Sequence, residues 1–299
     1  MRKIRFASLV LSLALLPNGA AVSAECGKLA TQSGVVGYCI NEGDRTKNPD
    51  VLYYFHGAFP PGTADPEKAG LAPENDLLKF WQIANLERPT IITLSWGPTW
   101  VLKDDKLTAF ESEVVPQLEA RLTSPGAGRR MVLGTSMGGL NAFLAWTRMP
   151  QSFQAAAFQC PAFTPFSPFA NGVEKLLRAG EIAGESARGV VKQIKETPDR
   201  FESLDLFSEI FGPYFSSTEE WRAHQPPLAM TSLAGRALAP AYLVHNAQDQ
   251  FGFDGAPEIA ASGHAITIER QSGKHCADDW TIGLAKFLSG YPADPAGSQ

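Results

Sequence analysis

Six short apolar runs, separated by amphipathic segments, constrain the fold of this chain more than any other feature. The runs lack polar alternation, which is typical of strands buried on both faces of a sheet; they cover residues 51–55, 90–95, 131–134, 155–159, 241–244 and 265–268. Apolar residues at spacings of three and four predict helices over residues 75–86, 108–122, 138–149 and 278–288. This alternation predicts an α/β fold, with a mostly parallel central sheet flanked by helices.

One interval, residues 161–238, interrupts the alternation. It contains no convincing strand, but helical patterns occur at residues 173–179, 187–195 and 217–224. Because this interval is too long for an ordinary loop, we interpret it as a helical cap inserted into the sheet domain. A separate small domain is disfavoured, since strand-like runs resume after it. The core is then expected in two parts, residues 25–160 and 239–292, followed by a flexible tail at residues 293–299.

The amino terminus has the pattern of a cleavable signal peptide. Three basic residues precede an apolar stretch over residues 6–16, and small residues follow before Glu25. The stretch is shorter than the roughly 20 residues that span a bilayer, so residues 1–24 are predicted to be removed and the protein to be secreted or periplasmic. The remaining chain has 23 basic and 31 acidic residues, a net charge of −8. We therefore expect no nucleic-acid partner and no stable membrane insertion.

Four cysteines are present, and an even number in an exported chain favours disulfides. Three pairings are possible in principle. Cys26 and Cys39 would close a short loop that has the pattern of a hairpin, which leaves Cys160 to pair with Cys276. No Cys-x-x-Cys spacing indicates zinc, and we expect neither a metal nor another cofactor.

The segment GTSMG, residues 134–138, fits the pattern Gly-x-Ser-x-Gly. The chain has 27 glycines, so a chance match is common and the pattern alone carries little weight. Its position carries more weight, because it follows a buried strand and opens a helix. A nucleophile elbow requires this placement, and we predict that Ser136 is a nucleophile rather than a residue of a glycine-rich turn.

A serine nucleophile needs a base and an orienting acid, which follow it along the chain in enzymes with a nucleophile elbow. His275 comes directly after the last strand, whereas His264 precedes that strand and is expected in an exposed loop. Asp249 follows the preceding strand at the same end of the sheet. Asp254 is the second choice for the acid, while Asp278 and Asp279 are expected to begin the last helix.

Two backbone amides are expected to bind the oxyanion that forms during ester cleavage. Met137 follows the serine, and Ala58 follows the turn at Gly57; Phe59 is a less favoured donor. Six aromatic residues could line an acyl pocket, although such residues are more often part of a core; they are Phe59, Trp96, Trp100, Phe163, Phe166 and Phe169. We assign Phe59, Trp96 and Phe163 to the predicted substrate pocket.

With these motifs the chain resembles the α/β hydrolase superfamily, and within it the esterases that include esterase D, feruloyl esterases and polyhydroxyalkanoate depolymerases. The resemblance lies in YYFHGAF, FESEVVPQLEARL, LGTSMGGLNAFLAWTRMPQSFQAAAFQCPAF, LVHNAQD and GKHCADDWTIGLAKFL. It implies an α/β-hydrolase fold and hydrolysis of a carboxylic ester through an acyl-enzyme on Ser136, with His275 as base and then acid and Asp249 holding it. The substrate is expected to be an ester on a small molecule or a polymer.

Three other functions are compatible with parts of this pattern. An acyltransferase uses the same three residues, and the sequence does not separate it from a hydrolase. A serine peptidase is possible, but no accompanying repeat supports it. A binding protein on a hydrolase scaffold is disfavoured because a complete set of catalytic residues is predicted.

Overall fold

The computed structural model describes residues 24–58, 71, 75–123, 128–164, 168–169, 210–224, 226–233, 235–249, 256–276 and 281–290. These residues form one eight-stranded sheet in the order β1-β2-β4-β3-β5-β6-β7-β8. The strands are β1 (Glu25–Thr31), β2 (Gly34–Asn41), β3 (Val51–Phe55), β4 (Thr90–Ser95), β5 (Arg130–Thr135), β6 (Ala155–Gln159), β7 (Ala241–Gln248) and β8 (Ile266–Lys274). β2 pairs antiparallel with β1 and β4, and all other pairs are parallel. The predicted α/β architecture is confirmed.

Helices connect the parallel strands, and one more helix follows the last strand. They are α1 (Asn75–Ile83), α2 (Asp105–Ala109), α3 (Val115–Glu119), α4 (Met137–Arg148), α5 (Thr218–His224), α6 (Pro226–Ser232), α7 (Ala256–Ala261) and α8 (Ile282–Leu288). A π-helical turn, Phe110–Val114, joins α2 to α3. Pro116, which has no N–H to donate, stands just after this turn. The single helix predicted over residues 108–122 is therefore three consecutive segments.

The central strands are buried on both faces, which explains why their sequences do not alternate. In β3, Tyr53 and Phe55 belong to one apolar cluster, whereas Leu52 and Tyr54 belong to another on the opposite face. Helix α4 packs on the first face, and α1 and α8 pack on the second. Burying each large apolar side chain contributes about 1.5–3 kcal/mol, so the two layers stabilise the sheet from both sides.

Strand β8 lies at one edge of the sheet and is longer than predicted. The expected run ended at residue 268, but pairing with β7 continues to Lys274. Because β7 is its one neighbour among the described strands, the last five residues alternate between exposed and half-buried positions, and polar residues are accommodated there. This extension carries the chain to the end of the sheet where the other parallel strands terminate.

Much of the predicted cap lies outside the described residues. The described part of the interval 161–238 contains α5, α6 and a short 3₁₀ turn, Gly212–Tyr214, but no strand. Phe211, Trp221 and Met230 are buried, so these segments have an apolar side that faces inward. The helices predicted at residues 173–179 and 187–195 are not among the described residues, and the cap stays a prediction. So do the signal peptide and the tail.

No helix in the described part of the chain is both long and apolar enough to cross a membrane.

Candidate active site

Ser136 occupies a strained turn between β5 and α4. Its backbone φ is +54° and its ψ is −118°, a conformation that costs a non-glycine residue about 1–3 kcal/mol. The glycines on either side allow the strand and helix to approach this closely. A Cβ on Gly134 would lie 1.9 Å from the carbonyl oxygen of Gly138, and one on Gly138 would lie 1.9 Å from that of Phe55. Any larger residue at either position would force the elbow apart.

The backbone of Ser136 is held by hydrogen bonds to the chain around β6. Its N–H donates to the Gln159 carbonyl at 3.0 Å, and its own carbonyl accepts from the N–H of Ala162 at 2.9 Å. Beneath the turn, the Tyr54 hydroxyl donates to Thr135 Oγ1 at 3.1 Å, and Thr135 Oγ1 donates to Gln159 Oε1 at 2.7 Å. These buried bonds fix the turn, since leaving a buried polar group unpaired costs about 1–3 kcal/mol.

His275 and Asp249 lie next to the serine, at the ends of β8 and β7. Ser136 Oγ lies 2.8 Å from His275 Nε2, and His275 Nδ1 lies 2.8 Å from Asp249 Oδ2. A carboxylate only accepts hydrogen bonds, so Nδ1 carries the proton and Nε2 accepts from the serine hydroxyl. The Asp249 side chain is 2% exposed and that of His275 is 13% exposed. The structure thus brings together the three residues that the sequence singled out.

A register shift in β7, between Asn246 and Gln248, precedes Asp249. Such irregularities turn a strand and redirect the side chains that follow. The amide of Asp249 also donates to the Asn246 carbonyl at 3.2 Å, which closes a turn. The acid is therefore placed by local backbone geometry as well as by its bond to His275. Asp254, Asp278 and Asp279 lie outside the described residues.

The turn after β3 is organised by His56, which the sequence analysis did not select. Its Nδ1–H donates to the Gly57 carbonyl at 2.7 Å, and its Nε2 accepts from Ser95 Oγ at 2.9 Å. Burial lowers the pKa of His56, so the ring is neutral, as this bonding pattern requires. Gly57 lies against the serine, because a Cβ built on it would be 3.5 Å from Ser136 Cβ. The sequence did offer a signal for His56, because it is a polar residue at the end of an apolar strand.

The N–H of Ala58 belongs to the same planar peptide as the Gly57 carbonyl and points the opposite way. His56 therefore fixes the direction of this amide. Met137, the other expected amide donor, is the first residue of α4 and is 3% exposed. Both residues thus follow parallel strands that end at the same edge of the sheet.

Two small cavities adjoin the elbow. One, of about 10 Å³, is lined by His56, Trp96, Met137, Asn141 and neighbouring residues. The other, of about 20 Å³, is lined mainly by apolar side chains that include Leu140, Leu144, Ala162, Phe211 and Trp221. Leu140 and Ala162 both donate their N–H to the Ser136 carbonyl, so the second cavity borders the serine backbone.

Asn141, on the buried face of α4, holds the loop that carries two tryptophans. Its Oδ1 accepts from the Leu102 N–H at 2.7 Å, and its Nδ2 donates to the Trp100 carbonyl at 3.3 Å. It was not selected from the sequence, although a single amide in an otherwise apolar helix was a usable signal.

The aromatic residues assigned to a pocket have different surroundings. Trp96 is half-buried, lines the smaller cavity and packs against Phe55. Phe163 is fully buried, with its ring against Phe143 and Phe158, so the structure places it in the core rather than at a pocket wall. Phe59 lies outside the described residues.

The structure contains both disulfides of the favoured pairing, Cys26–Cys39 and Cys160–Cys276. Among the described residues, the group with suitable spacing for a metal ion is Cys160, His275 and Cys276. Because their sulfurs are joined in the disulfide, the two cysteines offer no thiolate ligands to a metal.

His264 is not the exposed loop residue that the sequence suggested. It is half-buried, and its ring meets Trp146 edge-on at 6.5 Å between centroids. It precedes β8, at the opposite end of that strand from His275. Its packing therefore gives it a place in the core layer around α4.

Comparison with known proteins gives one family and many similar structures. A family model described as "Putative esterase" matches residues 96–261, a segment that includes Ser136 and Asp249. No curated protein sequence matches the chain.

Among solved structures, brefeldin A esterase, a bacterial homologue of human hormone-sensitive lipase, has a TM-score of 0.57 at 17% identity, over 96% of this chain and 80% of that one. An esterase of the fungus Rhizomucor miehei has a TM-score of 0.59 at 16% identity, over 92% and 83%. Carboxyl esterase 2 of Tuber melanosporum has a TM-score of 0.57 at 13% identity, over 91% and 87%. At these identities the likeness shows a shared α/β-hydrolase fold.

Proposed function

Because the family model matches more than half of the length of this chain, the chain belongs to the esterase family, and we propose that it hydrolyses carboxylic esters through an acyl-enzyme on Ser136. The observation that carries this proposal is the continuous chain of hydrogen bonds from Ser136 Oγ through His275 to Asp249, with 2.8 Å at each step. Each member has the role that its surroundings suit: nucleophile, base and orienting acid.

In the proposed first step, His275 Nε2 takes the proton of the serine hydroxyl as Oγ attacks the ester carbonyl. Asp249 accepts from Nδ1 throughout, which keeps the imidazole in the required tautomer and stabilises the imidazolium that forms. The imidazolium then protonates the departing alcohol, leaving an acyl group on Ser136. Water activated by His275 releases this acyl group as the acid.

The negative charge on the tetrahedral intermediate needs donors that are already oriented. We assign this role to the N–H groups of Ala58 and Met137. The amide of Met137 is in the first turn of α4, where N–H groups lack intrahelical partners and the helix dipole favours negative charge. The bond from His56 to the Gly57 carbonyl supports the assignment of Ala58, because it prevents this peptide from rotating.

The substrate is proposed to be an ester, on a small molecule or a polymer, with an apolar group on one side of the bond. The apolar side chains that line the small cavity beside the Ser136 backbone support this proposal. We also propose that the protein is exported after removal of residues 1–24. The leader sequence and the two disulfides support export, since disulfides persist in oxidising compartments.

The test is hydrolysis of a panel of aryl esters, with acyl groups from acetyl to long alkyl and feruloyl, by the mature protein and by Ser136→Ala. We expect turnover by the wild type and a loss of at least about 10⁴-fold in the variant. Equal rates in the two proteins would exclude Ser136 as the nucleophile. Adding a competing alcohol separates hydrolysis from acyl transfer, because a transferase would form a new ester.

Export is checked separately by expressing the full chain in a bacterium and sequencing the amino terminus of the protein found outside the cytoplasm. We expect it to begin at Glu25. An intact leader on this fraction would contradict the proposed cleavage.

A further inference from the structure

His275 follows an edge strand whose last residues depart from the regular strand ladder. Among the described strands β8 pairs with β7 alone, and the register passes from Gln271, opposite Asn246, directly to Lys274, opposite Gln248. The intervening Gly273 has a φ of +112°, so the backbone departs from regular strand geometry just before the histidine. The strand ladder alone therefore gives the imidazole little positional support.

A covalent link to the centre of the sheet supplies the support that the ladder lacks. Cys276, directly after His275, is bonded to Cys160, directly after β6. Cys160 is fully buried, and its N–H donates to the Val244 carbonyl of β7 at 2.8 Å. The disulfide thus links Cys276, at the edge of the sheet, to Cys160, whose position is fixed by packing and hydrogen bonding.

The same anchor also holds the nucleophile. Cys160 lies between the two residues that bond the Ser136 backbone, Gln159 to its N–H and Ala162 to its carbonyl. Cys160 therefore adjoins the residues that hold the nucleophile, and it is bonded to the residue that follows the base. On this geometry we propose that the Cys160–Cys276 disulfide is a positioning element that holds His275 within reach of Ser136, and that its cleavage slows ester hydrolysis while the protein stays folded.

The proposal rests on the proposed role of His275 and predicts a specific kinetic change. A misplacement of about 1 Å in a reacting group can cost on the order of 100-fold in rate. We expect kcat to fall by about 10- to 100-fold when the bond is absent, with KM nearly unchanged, because the cavities beside the elbow do not include the disulfide. The rate at which a fluorophosphonate labels Ser136 should fall in parallel.

Two matched double variants provide the test, since the chain has a second disulfide at the other side of the sheet. Cys160→Ala/Cys276→Ala removes the positioning link, and Cys26→Ala/Cys39→Ala removes the link between β1 and β2. Both are measured well below their unfolding temperatures, with folding verified by circular dichroism. Only the first variant should lose kcat.

Reduction gives an independent test in the Cys26→Ala/Cys39→Ala background, where one disulfide remains. Dithiothreitol passes two electrons and two protons to the two sulfurs, which become thiols, and itself becomes a cyclic disulfide. Cys276 is partly exposed, whereas Cys160 is buried, so the reductant reaches the bond from the Cys276 side. Activity should fall on reduction and return when the reductant is removed and the thiols are reoxidised.

The state of His275 itself is read from the proton NMR signal of its Nδ1–H, which the bond to Asp249 shifts far downfield. This signal should be sharp in the wild type and broadened or lost in Cys160→Ala/Cys276→Ala. An unchanged signal, an unchanged kcat, or equal losses of kcat in both double variants would each overturn the proposal. A wild type that hydrolyses no ester but shows the expected loss of signal would instead overturn the proposed function and retain the positioning role.

Discussion

In the proposed mechanism the ring of His275 works in one tautomer, and Asp249 selects it. The carboxylate accepts the Nδ1 proton, which leaves Nε2 free to take the proton of the Ser136 hydroxyl. An amide in place of the carboxylate presents an N–H as well as a carbonyl oxygen, so it can stabilise the opposite tautomer. The chemistry therefore depends on the charge of Asp249 as well as on its position.

Asp249→Asn should accordingly lower kcat by about 10⁴-fold with a much smaller change in KM, because the wrong nitrogen would then carry the proton. Steady-state kinetics with a reactive aryl ester measure both quantities. His264→Ala is the control, and it should keep its kcat, since His264 contacts Trp146 and not the serine. A loss of kcat in the control together with a fully active Asp249→Asn would show that the acid and base have been misassigned.

His56 makes stability depend on pH. Burial holds its pKa below the usual 6.5, so the folded protein keeps the ring neutral while the unfolded chain binds a proton there below about pH 6.5. The free energy of unfolding contributed by this residue is fully present above that pH and falls as the solution becomes more acidic, by at most about 1.4 kcal/mol per pH unit.

Urea unfolding of the wild type and of His56→Gln from pH 8 to pH 5 checks this. The difference between the two unfolding free energies should be constant above about pH 6.5 and should shrink below it. A difference that stays constant over the whole range would mean that His56 takes up a proton equally in the folded and unfolded states.

At the scale of elements, the distance between α4 and β3 decides whether the elbow can form. A Cβ added to Gly138 would lie 1.9 Å from the carbonyl oxygen of Phe55. The Cα of Gly138 and the carbonyl of Phe55 are both backbone groups, so neither can move aside without displacing the helix or the strand.

Gly138→Ala should therefore destabilise the protein by about 3 kcal/mol or more and remove most of its activity. Thermal unfolding and esterase assays measure the two effects. Gly212→Ala is the matched control, because nothing lies within 4 Å of its added Cβ, and it should be nearly neutral. Similar stabilities for the two variants would contradict the close approach described for α4.

At the scale of the whole molecule, the two disulfides close loops of very different lengths. Cys26 and Cys39 are 13 residues apart, and Cys160 and Cys276 are 116 residues apart. Chain entropy in the unfolded state then predicts a stabilisation of about 3 kcal/mol from the first and about 5 kcal/mol from the second.

Urea unfolding of the two double alanine variants tests this order. We expect the Cys160→Ala/Cys276→Ala protein to be the less stable of the two by about 2 kcal/mol. The reverse order would indicate that native contacts, and not loop length, dominate the effect. This test of stability is independent of the proposed effect of the Cys160–Cys276 disulfide on kcat, because kcat is measured in folded protein.

The sequence by itself determined six of the eight strands, β3 to β8, and their order along the chain. It indicated β1 and β2 only as a hairpin pattern between Cys26 and Cys39, and it did not predict α6 and α7. Uninterrupted apolar runs predict strands buried on both faces, and they were found within a few residues of their observed bounds wherever packing covers both faces. Helix α5 was predicted within one residue of its observed start from the helical pattern at residues 217–224. Ser136, Asp249 and His275 could be selected because they follow strands, and the carboxyl ends of parallel strands must meet at one edge.

Only the tertiary structure decided which side chains touch. The end of β8 could not be predicted, because an edge strand tolerates the polar residues that otherwise mark a loop. Phe163 and Trp96 look alike in sequence, yet one is sealed in the core and the other lines a cavity. The roles of His56 and Asn141 depend on partners dozens of residues away, such as Ser95 and Leu102. Local patterns predict which face of a strand or helix is buried, whereas the neighbours and hydrogen-bond partners of a single residue are set by how distant strands and loops pack together.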